Sequence, residues 1–275
     1  MLNIPSLALI SVLVGFLGSL TGLGGASILI PLLVFFGIPV KQAIASAMIA
    51  IIATSSGSAA SYVRERITNI KVAMYLEMFT ITGAIAGATI TTIIAPVYLY
   101  FFFAAFLLTS FLRTSRVNHG FTPAGSQDRF SRWLGLSGSY FDQASKKLVS
   151  YRVNNTVLGG LGMLVAGLAA GMLGIGAGAF KVTVMENILH MPPKVSSTTS
   201  NFIIGMTALA GVSVFLFSGL LNLTLMAPMA IGTAIGAIVG GRVLNRFGDS
   251  TLRVLFFAVV VLLIVQMVYK GVTSI

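Results

Sequence analysis

The chain has 275 residues, 56% of them hydrophobic and only 8% charged, where a soluble domain carries about a quarter charged residues, so its class is a polytopic helical membrane protein. Continuously apolar segments exclude outer-membrane strands, which alternate apolar and polar residues, and the absence of cysteine excludes disulfides, thiolate metal sites and Cys nucleophiles. The net charge of +11 fits basic residues flanking spans on the cytoplasmic side, and no nucleic-acid partner is expected.

The N-terminus has no Lys or Arg before Lys41, so it lacks the charged start of a cleavable signal peptide and is expected to be retained. Residues 5–36 form an apolar segment interrupted by Gly22, Gly24 and Gly25 and closed by Phe36-Gly37-Ile38-Pro39. Glycine is costly inside a helix and tolerates positive φ, so the cluster reads as a deliberate break. A span follows over about 41–63, then the charged turn Arg64-Glu65-Arg66. Residues 71–95 make the next span, ended by Pro96, and 97–112 another. Residues 113–153 hold seven of the seventeen Lys+Arg and read as a basic cytoplasmic linker. Within it Phe130, Trp133, Leu134 and Phe141 among arginines fit a helix lying on the membrane surface, or an irregular linker with one aromatic anchor.

The second half repeats the first. A Gly-broken segment over about 155–189, with Gly174, Gly176 and Gly178, is closed by His190-Met191-Pro192-Pro193. Spans follow at about 194–217, 223–245 and 252–270. Pro39-Val40-Lys41 matches Pro192-Pro193-Lys194, Asn69 matches Asn222, and Gly83/Gly87 match Gly236/Gly240, all at an offset of 153. The glycine clusters align at 174 − 22, or 152. The units are therefore repeat 1 over 1–112, the linker over 113–153 and repeat 2 over 154–275.

Loop charge orients the halves. The turn at 64–71 is basic and the one around Ala95-Pro96 uncharged, whereas in the second half the matching turns are uncharged at 218–223 and basic at 242–253. Under the positive-inside rule the repeats have opposite topology, with both termini outside. Opposite topology needs an odd number of crossings per half. Three spans supply it if each Gly-broken segment is a re-entrant hairpin, and the arm over 25–36, roughly 18 Å as helix, is too short to cross a ~30 Å core. One long tilted helix per segment, in a parallel repeat, is the competing reading. The expected fold is thus all-α, with two inverted repeats, each a re-entrant hairpin plus three transmembrane helices. Helix N-termini at Gly25 and Gly178 would aim free N–H groups at the centre, an arrangement suited to a small anion.

With its Gly-rich hairpin, then Pro, the Ala45-Ser46 or Thr199-Ser200 step and a Gly-x-x-x-Gly span, twice over, the chain resembles the TauE/SafE sulfite-exporter family. The family's Gly-x-Gly-Gly-Gly cluster is altered here at Ala26 and Ala177, and the family pattern tends to an apolar residue where Lys181 stands. The resemblance implies an inner-membrane transporter exporting sulfite, sulfonates or related organosulfur acids.

The glycines of the two clusters are substrate-binding candidates, the alternative being close helix packing, to which Gly83/Gly87 and Gly236/Gly240 are assigned. Ser46, Thr199, Ser200 and Asn201 are candidates for lining the path, although hydroxyls often bond back to their own helix. Lys181 could counter an anion's charge, since intramembrane charge is functional by default. Glu77 is the lead for a proton-coupling carboxylate, with snorkelling towards the basic turn as its alternative. Glu186 is the second coupling candidate, with a solvated face as the other role. No Walker motif is present, so coupling would be to a proton or cation gradient or to the membrane potential. His119 and His190, the only histidines, fall in or near loops, so neither a metal, a cofactor nor enzyme activity is expected. An importer or a carrier of another solute in the same fold, and a non-transporting assembly subunit, stand as alternatives. The sequence is compatible with a homo-oligomer.

Overall fold

The computed structural model describes residues 4–21, 26–64, 67–114, 127–142, 146–243 and 249–273. Helices α1 (Ile4–Thr21), α2 (Ala26–Phe35), α3 (Val40–Arg64), α4 (Ile70–Ile93) and α5 (Pro96–Thr114) form the first half. Helices α7 (Thr156–Leu173), α8 (Gly178–Asn187), α9 (Pro193–Phe217), α10 (Leu223–Val243) and α11 (Asp249–Thr273) form the second. Three of the described helices, α4, α7 and α9, are long and apolar enough by themselves to cross a membrane, and shorter apolar stretches lie in α1, α2, α3, α5, α10 and α11.

Local chemistry fixes the ends. Asn69 caps α4 by accepting from Val72 N at 3.1 Å, one of the donors a helix start leaves unpaired. Pro193 opens α9 at the position where a missing N–H does no harm. Gly174, at φ 64°, ends α7 in the left-handed region that glycine tolerates.

Each helix that precedes a Gly cluster packs on a helix of the other half. α1 lies along α10 and α7 along α4; α3 packs on α10, α9 on α4, and α3 and α9 pack on each other. The α1–α10 and α4–α7 pairs approach backbone to backbone. A methyl group on Gly83 would run into the Leu164 carbonyl, and one on Gly167 into that of Thr80. On the other pair, Gly236 faces the Val12 carbonyl and Gly15 that of Thr233. The second set is the first displaced, since 164 − 12 and 167 − 15 are 152 while 236 − 83 and 233 − 80 are 153. Such contacts let helices associate where lipid offers no hydrophobic driving force.

The linker departs from an all-α fold. Its described part holds a six-residue helix, α6 (Arg129–Leu134), and an antiparallel hairpin of β1 (Gly138–Asp142) and β2 (Lys147–Tyr151), with Tyr140 opposite Val149. Phe141 lies on β1 rather than on a helix with Phe130 and Trp133. Trp133 and Phe141 are exposed, whereas Leu136, Tyr151 and Val153 are buried against α4, α8 and α9. Asp128 accepts from the Thr156 hydroxyl at 2.7 and 2.9 Å and so ties the linker to the start of α7. Asn69 donates from Nδ2 to Leu136 O at 2.9 Å and to the Tyr151 hydroxyl at 2.8 Å. One end of the bundle therefore gathers the linker and the starts of α4, α7 and α9. At the other end Lys41 Nζ donates to Thr92 O at 2.8 Å.

Candidate functional site

The second Gly cluster is the apex of a closed hairpin. α7 runs up to Gly174, α8 departs at Gly178, and the two arms meet again at their far ends, where Asn154 N donates to Leu189 O and Asn155 Nδ2 to Ile188 O, both at 3.3 Å. α8 is ten residues long, roughly 15 Å, about half the thickness of a hydrocarbon core.

Three backbone positions in the apex have positive φ: Gly174 at 64°, Gly176 at 72° and Ala177 at 48°. The first two have little room for a side chain. A methyl on Gly174 would lie 2.9 Å from Ile44 O, and one on Gly176 2.9 Å from Ile204 Cγ2 with Ile51 Cδ1 at 3.7 Å. Ile51 and Ile204 differ by 153 and each is the twelfth residue of its 25-residue helix. The apex thus touches the middle of both α3 and α9, which pack on each other. Close by, the Ser55 hydroxyl donates to Asn201 O.

Lys181 lies one turn beyond Gly178 and is fully buried. Helical side chains lean towards the N-terminus of their helix, so its ammonium is carried back towards the apex. There Nζ donates to Thr207 Oγ1 at 2.8 Å, and that hydroxyl donates on to Ile203 O at 2.7 Å. Glu77, on α4, is 6% exposed and its Oε1 makes no hydrogen bond. α4 and α9 pack side by side from one end, where Asn69 N meets Thr199 Oγ1, so Glu77 lies level with Thr207, each eight residues further along its helix. Ser200 Oγ donates to Gly178 O at 3.3 Å.

The remaining candidates stand elsewhere or in other roles. Gly22, Gly24 and Gly25 lie outside the described residues. Ser46 is fully buried with an unpartnered hydroxyl. Thr199 sits at the start of α4, its Oγ1 accepting from Asn69 N at 3.2 Å. Asn201 turns its amide to its own helix, donating to Ser197 O at 3.2 Å. Glu186 is half-buried in the last turn of α8, away from the apex. Thr207 is a residue that sequence reasoning missed. Its signal was its spacing, seven residues or two turns beyond Ser200, on the same face of α9.

Comparison with known proteins agrees with this architecture. The family model described as sulfite exporter TauE/SafE matches residues 7–267. The chain is 24% identical over 277 residues to the "Probable membrane transporter protein YunE" of Bacillus subtilis (strain 168), covering 98% of both chains. It is 25% identical over 258 residues to that organism's "Probable membrane transporter protein YdhB", covering 94% of this chain and 95% of the relative. No solved structure matches it.

Proposed function

Because the chain belongs to the TauE/SafE sulfite exporter family, a family of membrane transporters, we propose that it exports small anions, such as sulfite, sulfonates or related organosulfur acids, across the inner membrane by alternating access. The observation that carries the reading is the closed hairpin apex at the middle of α3 and α9, with the buried ammonium of Lys181 one turn away. Unpaired N–H groups at the start of α8 and the positive end of its dipole favour a negative charge there. The glycines let that backbone turn tightly against α3 and α9 up to the less buried Gly178, and Ser200 supplies a hydroxyl beside it.

Inverted repeats give the motion. The displaced Gly contacts, and the way each hairpin helix pairs with the opposite half, support a two-fold relation between residues 1–112 and 154–275. Each hairpin is then re-entrant, and the halves rock about the apex layer. The described linker and the starts of α4 and α9 carry Lys71, Arg129, Arg132, Lys146, Lys147, Arg152 and Lys194, which supports a cytoplasmic position for that end and termini outside.

Counterflow in liposomes containing the purified protein tests the reading. Preloaded unlabelled sulfite or alkanesulfonate should draw in the labelled anion, and substituting Gly176 by a larger residue should abolish uptake. A protein that exchanges neither sulfite, sulfonates nor carboxylates would overturn it, and exchange confined to a solute of another class would assign the fold to a different carrier.

A further inference from the structure

Glu77 and Lys181 are buried charged residues far from the ends of their bundle, on two elements that both pack against α9. Thr207 fixes the ammonium, and Glu77 Oε1 is left without a hydrogen bond. Other charges are distant or engaged. α7 has no ionisable residue, and α9 has only Lys194 in its first turn. α8 has only Glu186 besides Lys181, and both Glu186 and Lys194 have contacts of their own. On α3 the ionisable residues are Lys41, bonded to Thr92 O, and Tyr62 and Arg64 at the far end. On α4 itself Lys71 and Tyr75 lie towards the linker, where Tyr75 donates to Thr156 O.

The pair is also one-sided. The offset of 152 within the hairpins sets Leu29, as fully buried as Lys181, at the matching place, and the offset of 153 sets Ala230 opposite Glu77 and Thr54 opposite Thr207. The two equivalent sites, each built from both halves, therefore differ: one holds the apolar Leu29 and Ala230, the other the charged Lys181 and Glu77. Buried ion pairs are poor stabilisers compared with apolar groups of similar volume, and charge inside a membrane marks function. Resting on the anion-transport reading above, the asymmetry has a simple electrostatic use.

We propose that Glu77 and the transported anion take turns as the counter-ion of Lys181. In the empty carrier the Glu77 carboxylate balances the ammonium. When an anion reaches the apex, a second negative charge in the dry interior is prohibitive, so Glu77 takes one proton from water on the side the anion enters from. It returns that proton to water on the side where the anion leaves. Anion and proton cross together, no net charge moves, and the direction of transport follows the sum of the anion and proton gradients. Thr207 is the positioning residue that holds Lys181 within reach of both counter-ions.

The probe is a labelled alkanesulfonate, which stays ionised throughout the usable pH range, so any proton that moves is the protein's. In liposomes with an internal pH dye and a clamped potassium diffusion potential, wild-type protein is expected to move one proton per sulfonate at a rate indifferent to the potential. Glu77→Gln is expected to move sulfonate without protons and at a rate that follows the potential. The double variant Glu77→Ala/Lys181→Leu copies the equivalent Ala230/Leu29 site, so it should elute and melt as a folded protein while losing proton movement and binding sulfonate more weakly. Sulfonate flux in the wild type that carries no protons and follows the potential would overturn the proposal and leave the transport reading intact. No flux of any anion would overturn the transport reading itself, and the proposal with it.

Discussion

Ala177 stands in the left-handed region at φ 48°, between Gly176 and the first residue of α8. An L-residue there carries a penalty of about 1–2 kcal/mol. Ala177→Gly should therefore raise the stability of the detergent-solubilised protein by about 1 kcal/mol, after the glycine's greater unfolded-state entropy is set against the relief, read as an upward shift in thermal midpoint. Thr207 makes the opposite case. Thr207→Val removes the acceptor of a fully buried ammonium and should destabilise by about 1–3 kcal/mol, with Thr207→Ser close to wild type. At this scale the sequence is legible where a residue type is out of place in lipid, which is why Lys181 and Glu77 stand out unaided. Thr207 does not stand out, because a helical threonine ordinarily bonds back to its own carbonyl, as this one does to Ile203. That it also accepts from a lysine 26 residues earlier is a product of the fold.

The helix pairs depend on glycines that permit backbone contact. Gly167→Ala would push a methyl into the Thr80 carbonyl and should lower stability by about 1–3 kcal/mol through overpacking. Leu161→Ala, on an exposed position of the same helix, should change it far less. Helix positions were readable from the length of the apolar runs, and the Gly-x-x-x-Gly packing role from its spacing. The β1–β2 hairpin was not, since five-residue strands inside a charged segment give too short an alternation to distinguish from loop. Its anchoring also has a pH signature. Burial pushes the Tyr151 phenol above its ordinary value, against the pull of the hydrogen bond from Asn69 and with a further push from Tyr140. The folded form thus favours neutral Tyr151, and that stability is present below the unfolded value of about 10 and lost as pH rises through the folded one. Protease cutting of the linker should increase above about pH 10, and Tyr151→Phe should flatten that rise.

For the whole molecule, the absence of cysteine makes every introduced thiol unique. Cysteines at Lys71, Lys146 and Asn155 should react only with reagent on the cytoplasmic side, and those at Lys41 and Thr273 only from outside. Labelling of Lys71 and Lys146 from opposite sides would undo the topology. The sequence offers a duplication through landmarks at one offset, whereas the packing of α1 on α10 and of α7 on α4 was not legible, because no local pattern says which distant helix a small-residue face meets. The halves also differ at their rims. Asn69 is tied at once to the linker, to α4 and to Thr199, while Asn222, its equivalent, is exposed and its side chain caps only its own helix start, accepting from Thr224 N at 3.1 Å. On the proposed rocking motion Asn69 acts as a latch on the inner door that Asn222 does not match on the outer one, so spontaneous opening should be biased outward. Asn69→Ala would then free the inner door and even out the two states.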